Sequence, residues 1–258
     1  MNSNPFAALL AALVIISASP LAEAQMNRCI EAHGGRAKWQ SFGSVQYDLA
    51  YERPNGTKRE HQLFDLRSRD GLITAEEYTL GASKGEVWIK PRLDALGRTP
   101  PRFYMWTSFY FFGMPFVFGD PGAKQEPLGR KPFQGQEYDV VKITYEAGTG
   151  DSPDDFYTAY VDPASGRLKL AIYVVTYPAL RKGKALGELE QHAIVFEEWQ
   201  EANGVTVPKS AAYFDWKNET TEGDTLGRLR FDNVQFATPH ADASKFTKPA
   251  DAVVAPLQ

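Results

Sequence analysis

From Val45 the apolar positions fall on every second residue. Val45, Tyr47, Leu49 and Tyr51 alternate with Gln46, Asp48, Ala50 and Glu52, and Asn55-Gly56 follows as the pair a two-residue hairpin turn prefers. The same reading gives strands over residues 58–67, 72–80 and 86–90, with Asp70-Gly71 as a turn, and then over 136–145, 155–161, 167–177, 189–200, 205–216 and 225–236. Turn chemistry separates them: in Asp162-Pro163-Ala164-Ser165-Gly166 and Ala202-Asn203-Gly204, Pro presets one dihedral and Gly or Asn accepts a positive one. Strands in direct succession joined by tight turns predict an antiparallel meander. Before the strands, Ile30, Ala32, Ala37 and Trp39 around Gly34-Gly35 read as a short helix, a glycine break and a further helical turn.

Two departures from alternation matter. Leu168, Leu170 and Ile172 share their strand with Ala171, Tyr173 and Val175, so it is apolar on both faces, as is the strand around Tyr157 and Tyr160. A single sheet with one wet face does not need that. Either the sheet curls around something while its other side meets the N-terminal helix, or it is half of a sandwich. The second departure is residues 103–118, FYMWTSFYFFGMPFVF, where nine of sixteen residues are aromatic, bracketed by Pro100-Pro101 and Asp120-Pro121-Gly122. This run is too short to span a bilayer and too apolar to lie exposed. It shows neither clean alternation nor helical spacing, which predicts an irregular lining segment or lid. Trp106, Phe109, Tyr110, Phe111, Phe112, Met114, Phe116 and Phe118 are its candidate ligand-lining residues. The plainer alternative is that these rings fill a core, as aromatics usually do.

The first residues change where the chain is expected to act. An apolar run from Phe6 to Ala18, then Ser19-Pro20 and Ala22-Glu23-Ala24, reads as an export signal cut after Ala24, although Met1 to Pro5 carries no Lys or Arg. The expected organisation is a signal peptide over 1–24, one domain over 25–238 and a loose surface tail over 239–258. The expected compartment is the periplasm, with no transmembrane segment after cleavage. Cys29 is the single cysteine, too far past the cut to carry a lipid there and without an internal disulfide partner, so the core itself must hold the fold. With 28 basic and 32 acidic residues the formal net charge is −4, which argues against nucleic acid as a partner.

Candidate chemistry is sparse. The four histidines, His33, His61, His192 and His240, form no ligand-spaced pair, and no metal or other cofactor is expected. His33, just before the glycine break, is placed either to bond the end of the first helix or to sit at a cavity rim. Gly81-Ala82-Ser83-Lys84-Gly85 has the letters of a nucleophile elbow, but a β run continues past it, so it reads as a hairpin turn. Tyr138 and Lys142 have a reductase-like spacing without a glycine-rich nucleotide loop upstream. Two acidic groups, Asp151, Asp154 and Asp155, and Glu197, Glu198 and Glu201, offer carboxylates for a glycosidase or read as a solvated surface. No catalytic residue is assigned.

His33-Gly34-Gly35 with Trp39, Pro115-Phe116 leading to Asp120-Pro121-Gly122, Tyr160-Val161-Asp162-Pro163 with Gly166 and Leu168, and Gly204-Val205-Thr206-Val207-Pro208 together resemble the superfamily of outer-membrane lipoprotein carriers (LolA-like) and related periplasmic proteins. The resemblance implies an α+β, mainly β fold: a single curved antiparallel sheet of about eleven strands, an incomplete barrel closed by helices around an apolar cavity that shelters a lipid or acyl chain. Burying such a chain is worth ~0.8 kcal/mol per CH₂ and needs no directed bonds. Beside this carrier reading stand an envelope hydrolase using the acidic residues and a non-catalytic partner in an envelope complex.

Overall fold

A computed structural model of the protein describes residues 19–146, 152 and 154–257. The described residues form thirteen strands: β1 (Ser44–Arg53), β2 (Gly56–Asp65), β3 (Gly71–Thr74), β4 (Thr79–Ser83), β5 (Glu86–Lys90), β6 (Ala123–Phe133), β7 (Gln136–Tyr145), β8 (Phe156–Val161), β9 (Leu168–Val174), β10 (Gln191–Ala202), β11 (Val205–Lys217), β12 (Thr220–Ala237) and β13 (Val253–Val254). All belong to one unclosed sheet in the order β13-β5-β4-β3-β2-β1-β12-β11-β10-β9-β8-β7-β6, and every pairing is antiparallel. The expected single strand over 72–80 is the hairpin β3–β4; Gly81 to Ser83 end β4, and Lys84 and Gly85, both at positive φ, make the β4–β5 turn. Tyr138 and Lys142 lie within β7, as ordinary strand residues do.

Helix α1 (Pro20–Ala32) and the short α2 (Arg36–Gln40) precede the sheet, with Gly34 and Gly35 at positive φ between them. The expected cleavage point after Ala24 therefore falls inside α1, where Ala22 and Met26 are buried; the apolar run of the expected signal, Phe6 to Ala18, lies outside the described residues. Three of the four motifs behind the family resemblance lie where α1 and the glycine turn after it meet the sheet. A Cβ at Gly34 would come within 2.5 Å of the Gly204 carbonyl oxygen, and Thr206 N–H donates to His33 O (2.9 Å). A Cβ at Gly166 would sit 3.0 Å from that of Ala32, while Arg28 donates to Pro163 O and Asp139. These glycines are docking points, because only a missing side chain lets the turns approach so closely.

The aromatic run is the main correction to the sequence reading. Residues 101–113 form a regular helix, α3 (Pro101–Gly113), followed by a 3₁₀ turn over Phe116–Gly119. Pro101 occupies the first helical turn, where its missing N–H costs nothing. Helical periodicity was invisible because the helix is wrapped by the sheet: Phe109 packs on Phe64 of β2 (4.7 Å between ring centres), Phe112 on Tyr47 of β1 (4.3 Å) and Phe111 on Tyr173 of β9 (5.3 Å). A helix covered on most sides carries no polar stripe to betray its period.

The doubly apolar strands have a second explanation. On the face away from α3, Val140, Tyr160, Leu170, Ile172 and Val195 form a separate small core with Phe133 and Trp216. β6 and β11 are five strands apart, about 24 Å in a flat sheet, yet the rings of Phe133 and Trp216 lie 5.9 Å apart and Lys131 bridges to Glu219 at 3.0 Å. This end of the sheet coils back on itself, so neither the N-terminal helix nor a second sheet is needed to cover it.

The residues expected to trail loosely after Pro239 instead complete the other edge. β13 pairs with β5, Phe246 is 1% exposed, and Trp88 Nε1–H donates to Phe246 O (2.9 Å). Their Pro/Ala-rich composition concealed a single large anchor in an otherwise small-residue segment.

Candidate functional site

The eight sequence-selected residues divide into three groups. Phe109, Phe111, Phe112, Met114 and Phe118 are buried in the main core, the four phenylalanines ring against ring with the sheet; Phe118 meets Tyr157 of β8 at 5.3 Å. Trp106 and Tyr110 are half-buried, and Trp106 Nε1–H donates to Arg69 O (2.9 Å), anchoring the β2–β3 connection. Phe116 is buried yet reaches the mouth, stacked on Trp39 of α2 at 4.4 Å and nearly parallel. In this conformation the concave side of the sheet is filled by the chain's own rings.

Open space lies at the C-terminal end of α3, in a cleft of about 680 Å³ between α2, the 3₁₀ turn after α3, the β2–β3 connection and the end of β7. Trp39, Phe42, Leu66, Tyr110, Phe116 and Val117 supply its apolar wall. Its size is that of sites for small organic ligands, about 300–1,000 Å³. Of the eight selected residues only Tyr110 and Phe116 line it.

The rim is charged. Arg36, Arg67 and Arg69 face the cleft together with Asp120 and His240. Arg69 pairs with Asp120 (2.7 Å), Arg36 donates to Gly119 O (2.7 Å), and His240 bonds Asp65 (2.9 Å). A Cβ at Gly119 would lie 2.2 Å from the Arg36 guanidinium, so a side chain there would displace that group from the Gly119 carbonyl. Burial pushes the Asp120 carboxyl above the usual carboxylate range, opposed by Arg69 and Arg36, and burial likewise raises the Tyr110 and Tyr145 hydroxyls. Two buried polar atoms of cleft residues, Arg69 Nη1 and Tyr145 OH, have no hydrogen-bond partner. Sequence reasoning missed this arginine set because the three residues come from α2 and a β-connection thirty residues later, and no spacing rule links them.

A second polar constellation lies inside the core. Glu60 of β2, with its side chain 1% exposed, accepts from Tyr78 OH, Tyr104 OH (2.6 Å) and Gln62 Nε2 (2.6 Å), with Lys58 Nζ at 3.4 Å. Gln62 Oε1 in turn accepts from Tyr47 OH and Ser108 Oγ, each at 2.9 Å. Every oxygen of Glu60 and Gln62 is satisfied, so the group joins α3 to the sheet without leaving an orphan. On the alternating β2 strand Glu60 gives no sequence sign that it points inward.

The other candidates fall elsewhere. His33 is fully buried, its Nδ1 bonded to Cys29 O (2.8 Å) at the end of α1 and its ring edge-on to Trp199, which is the helix-end role and not a cavity rim. Glu197 is held in a two-point pair by Arg228 (2.8 and 2.9 Å), Glu198 pairs with Lys209, and Glu201 is exposed. Asp155 accepts from Thr176 and burial raises its pKa to about 6; Asp154 pairs with Arg181, and Asp151 lies outside the described residues. Among the described residues no group of three or more His, Cys, Asp or Glu is placed to hold a metal ion, and no helix is long and apolar enough to cross a membrane.

Comparison with known proteins agrees with this architecture. A family model described as a family of unknown function (DUF6503) matches residues 102–221, under half of the chain, and no curated protein matches. Among solved structures, the LolA superfamily protein NE2245 from Nitrosomonas europaea superposes over 88% of this chain and 97% of its own with a TM-score of 0.55 at 12% identity. A DUF1329 family protein from Desulfovibrio piger does so over 88% and 99% with a TM-score of 0.51 at 10% identity. At such identities the likeness speaks for the fold, and with the coiled antiparallel sheet wrapped around its helices it bears out the family resemblance: the protein has the LolA-superfamily fold.

Proposed function

We propose that the protein is a periplasmic binding or carrier protein for a hydrophobic ligand, a lipid or an acyl chain. The observation that carries this reading is the cleft at the C-terminal end of α3, where the aromatic core surfaces as a wall of Trp39, Phe42, Tyr110 and Phe116 around about 680 Å³. An apolar wall recessed between elements keeps CH₂ groups from water at ~0.8 kcal/mol each, which is the main free energy a carrier needs. The shared fold with a LolA superfamily protein supports the same role. The remaining six of the eight selected residues are the inner layer against which a longer guest would lie if α3 shifted, and the proposed lining is therefore graded from the cleft inward.

Native mass spectrometry of protein recovered from the periplasm, together with titration of a lipophilic dye, tests the reading. Co-purified lipid and saturable dye binding weakened by Phe116→Ala are expected. Recovery of bare protein that binds no dye would overturn it.

A further inference from the structure

We infer that the cleft recognises an anionic amphiphile, with its oxyanion headgroup on Arg36, Arg67 and Arg69 and its apolar part along Trp39 and Phe116. The inference rests on the carrier reading and specifies the chemistry of its guest. The chain as a whole is acidic, with a net charge of −4, yet the cleft gathers three guanidinium groups against one carboxylate, Asp120. Asp120 occupies only Nη2 of Arg69, and Nη1 is left buried with no acceptor; the Tyr145 hydroxyl on the same cleft is also unpartnered. Unsatisfied buried donors are uncommon enough in folded proteins to require an explanation. Two of them beside an arginine cluster call for an acceptor rich in oxygen and charge. Guanidinium groups meet carboxylate and phosphate oxygens in paired, planar geometry, which fits either headgroup. The apolar wall begins at the same place: Phe116 opens the 3₁₀ turn that ends at Gly119, the acceptor of Arg36.

The test compares single-chain amphiphiles of equal length below their micelle concentration, titrated calorimetrically into the full chain: dodecyl phosphate, dodecanoate, dodecyl maltoside and dodecyltrimethylammonium, with inorganic phosphate alone as a further arm. Both anionic compounds are expected to bind about tenfold or more tightly than the neutral one. That advantage should shrink in Arg69→Gln and with added salt. Arg67 is exposed, so Arg67→Gln gives a variant whose folding is not at stake and should show the same loss in smaller degree. Equal binding of neutral and anionic compounds would overturn the headgroup assignment and leave the carrier reading standing. Binding of none would overturn both. Inorganic phosphate bound as tightly as dodecyl phosphate would mark a free-anion site and likewise overturn the amphiphile.

Discussion

His33 and Asp155 are buried groups whose titrations act on stability in opposite senses. Since Nδ1 of His33 donates to Cys29 O, Nε2 carries the lone pair and is itself unpartnered; protonation would bury a bare N–H, and desolvation lowers the pKa from 6.5 to about 4. The unfolded chain therefore binds more protons between those values, and the stability His33 contributes is lost as pH falls from about 6.5 toward 4. Asp155 runs the other way. Burial raises it from 3.8 to about 6, so the folded chain holds the extra proton and stability falls as pH rises through that window. Urea unfolding from pH 4.5 to 8 should show His33→Gln losing the acid-side slope, worth up to about 3 kcal/mol. Asp155→Asn should gain about 1–2 kcal/mol relative to wild type on going from pH 4.5 to 7.5, after allowance for its partial exposure. A stability difference for His33→Gln that stays level over the range would mean that the folded ring accepts its proton freely. The role of His33 at a helix end was legible from the Gly34-Gly35 break beside it. The burial of Asp155 was not, because its partner Thr176 comes twenty-one residues later from beyond β9.

Between elements, α3 is fixed to the sheet by more than ring packing. Tyr104 and Ser108 on one side of the helix reach Glu60 and Gln62 of β2, while Lys58 lies over the rings of Tyr78 and Tyr104 at 4.7 and 4.3 Å. Glu60→Leu removes the common acceptor and strands Tyr78, Tyr104 and Gln62 donors together with a cation already pushed below its usual pKa by burial. A loss of about 3–5 kcal/mol is expected in chemical denaturation. Tyr104→Phe deletes one donor and leaves the acceptor otherwise satisfied, for a loss of about 1.5–3 kcal/mol. Similar losses for the two variants would show that α3 is held by its apolar contacts alone. This docking explains the limits of pattern reading at the same scale. The strands with one wet face, such as β1 and β2, were readable residue by residue. α3 was not, since its surroundings and not its own periodicity decide that it is a helix. β6 escaped notice for a different reason: Pro127, Gly129 and Pro132 argue against a central strand, but β6 has one partner only, and its ladder skips register between Pro127 and Arg130, where an edge tolerates it.

An unclosed sheet of thirteen strands has two edges, and the whole molecule treats them differently. β6 is unattractive to an incoming strand because prolines, a register break and Lys124, Arg130 and Lys131 interrupt it. β5 has no such protection: Val87, Trp88 and Ile89 are buried and carry neither proline nor charge, and the edge is covered only because Ala255 N–H donates to Val87 O (2.8 Å) and β13 continues the ladder. The backbone oxygen of Phe246, which accepts from Trp88 Nε1–H, ties that return to β5, while the Phe246 ring fills the core. A chain ending at Ala241 keeps the contacts of Pro239 and His240 with β1 and β2 but strips β5, and it should self-associate with rising concentration in analytical ultracentrifugation where the full chain shows less. Phe246→Ala separates the two roles: losing a buried aromatic costs about 3–5 kcal/mol, yet β13 can still pair, so this variant should be less stable without acquiring the same tendency to associate. Ala255→Pro, which deletes the donor to Val87 while leaving Phe246 seated, should do the reverse. If all three variants lose stability alike and none associates more than the full chain, the last residues serve the core alone and the β5 edge is protected by something other than β13.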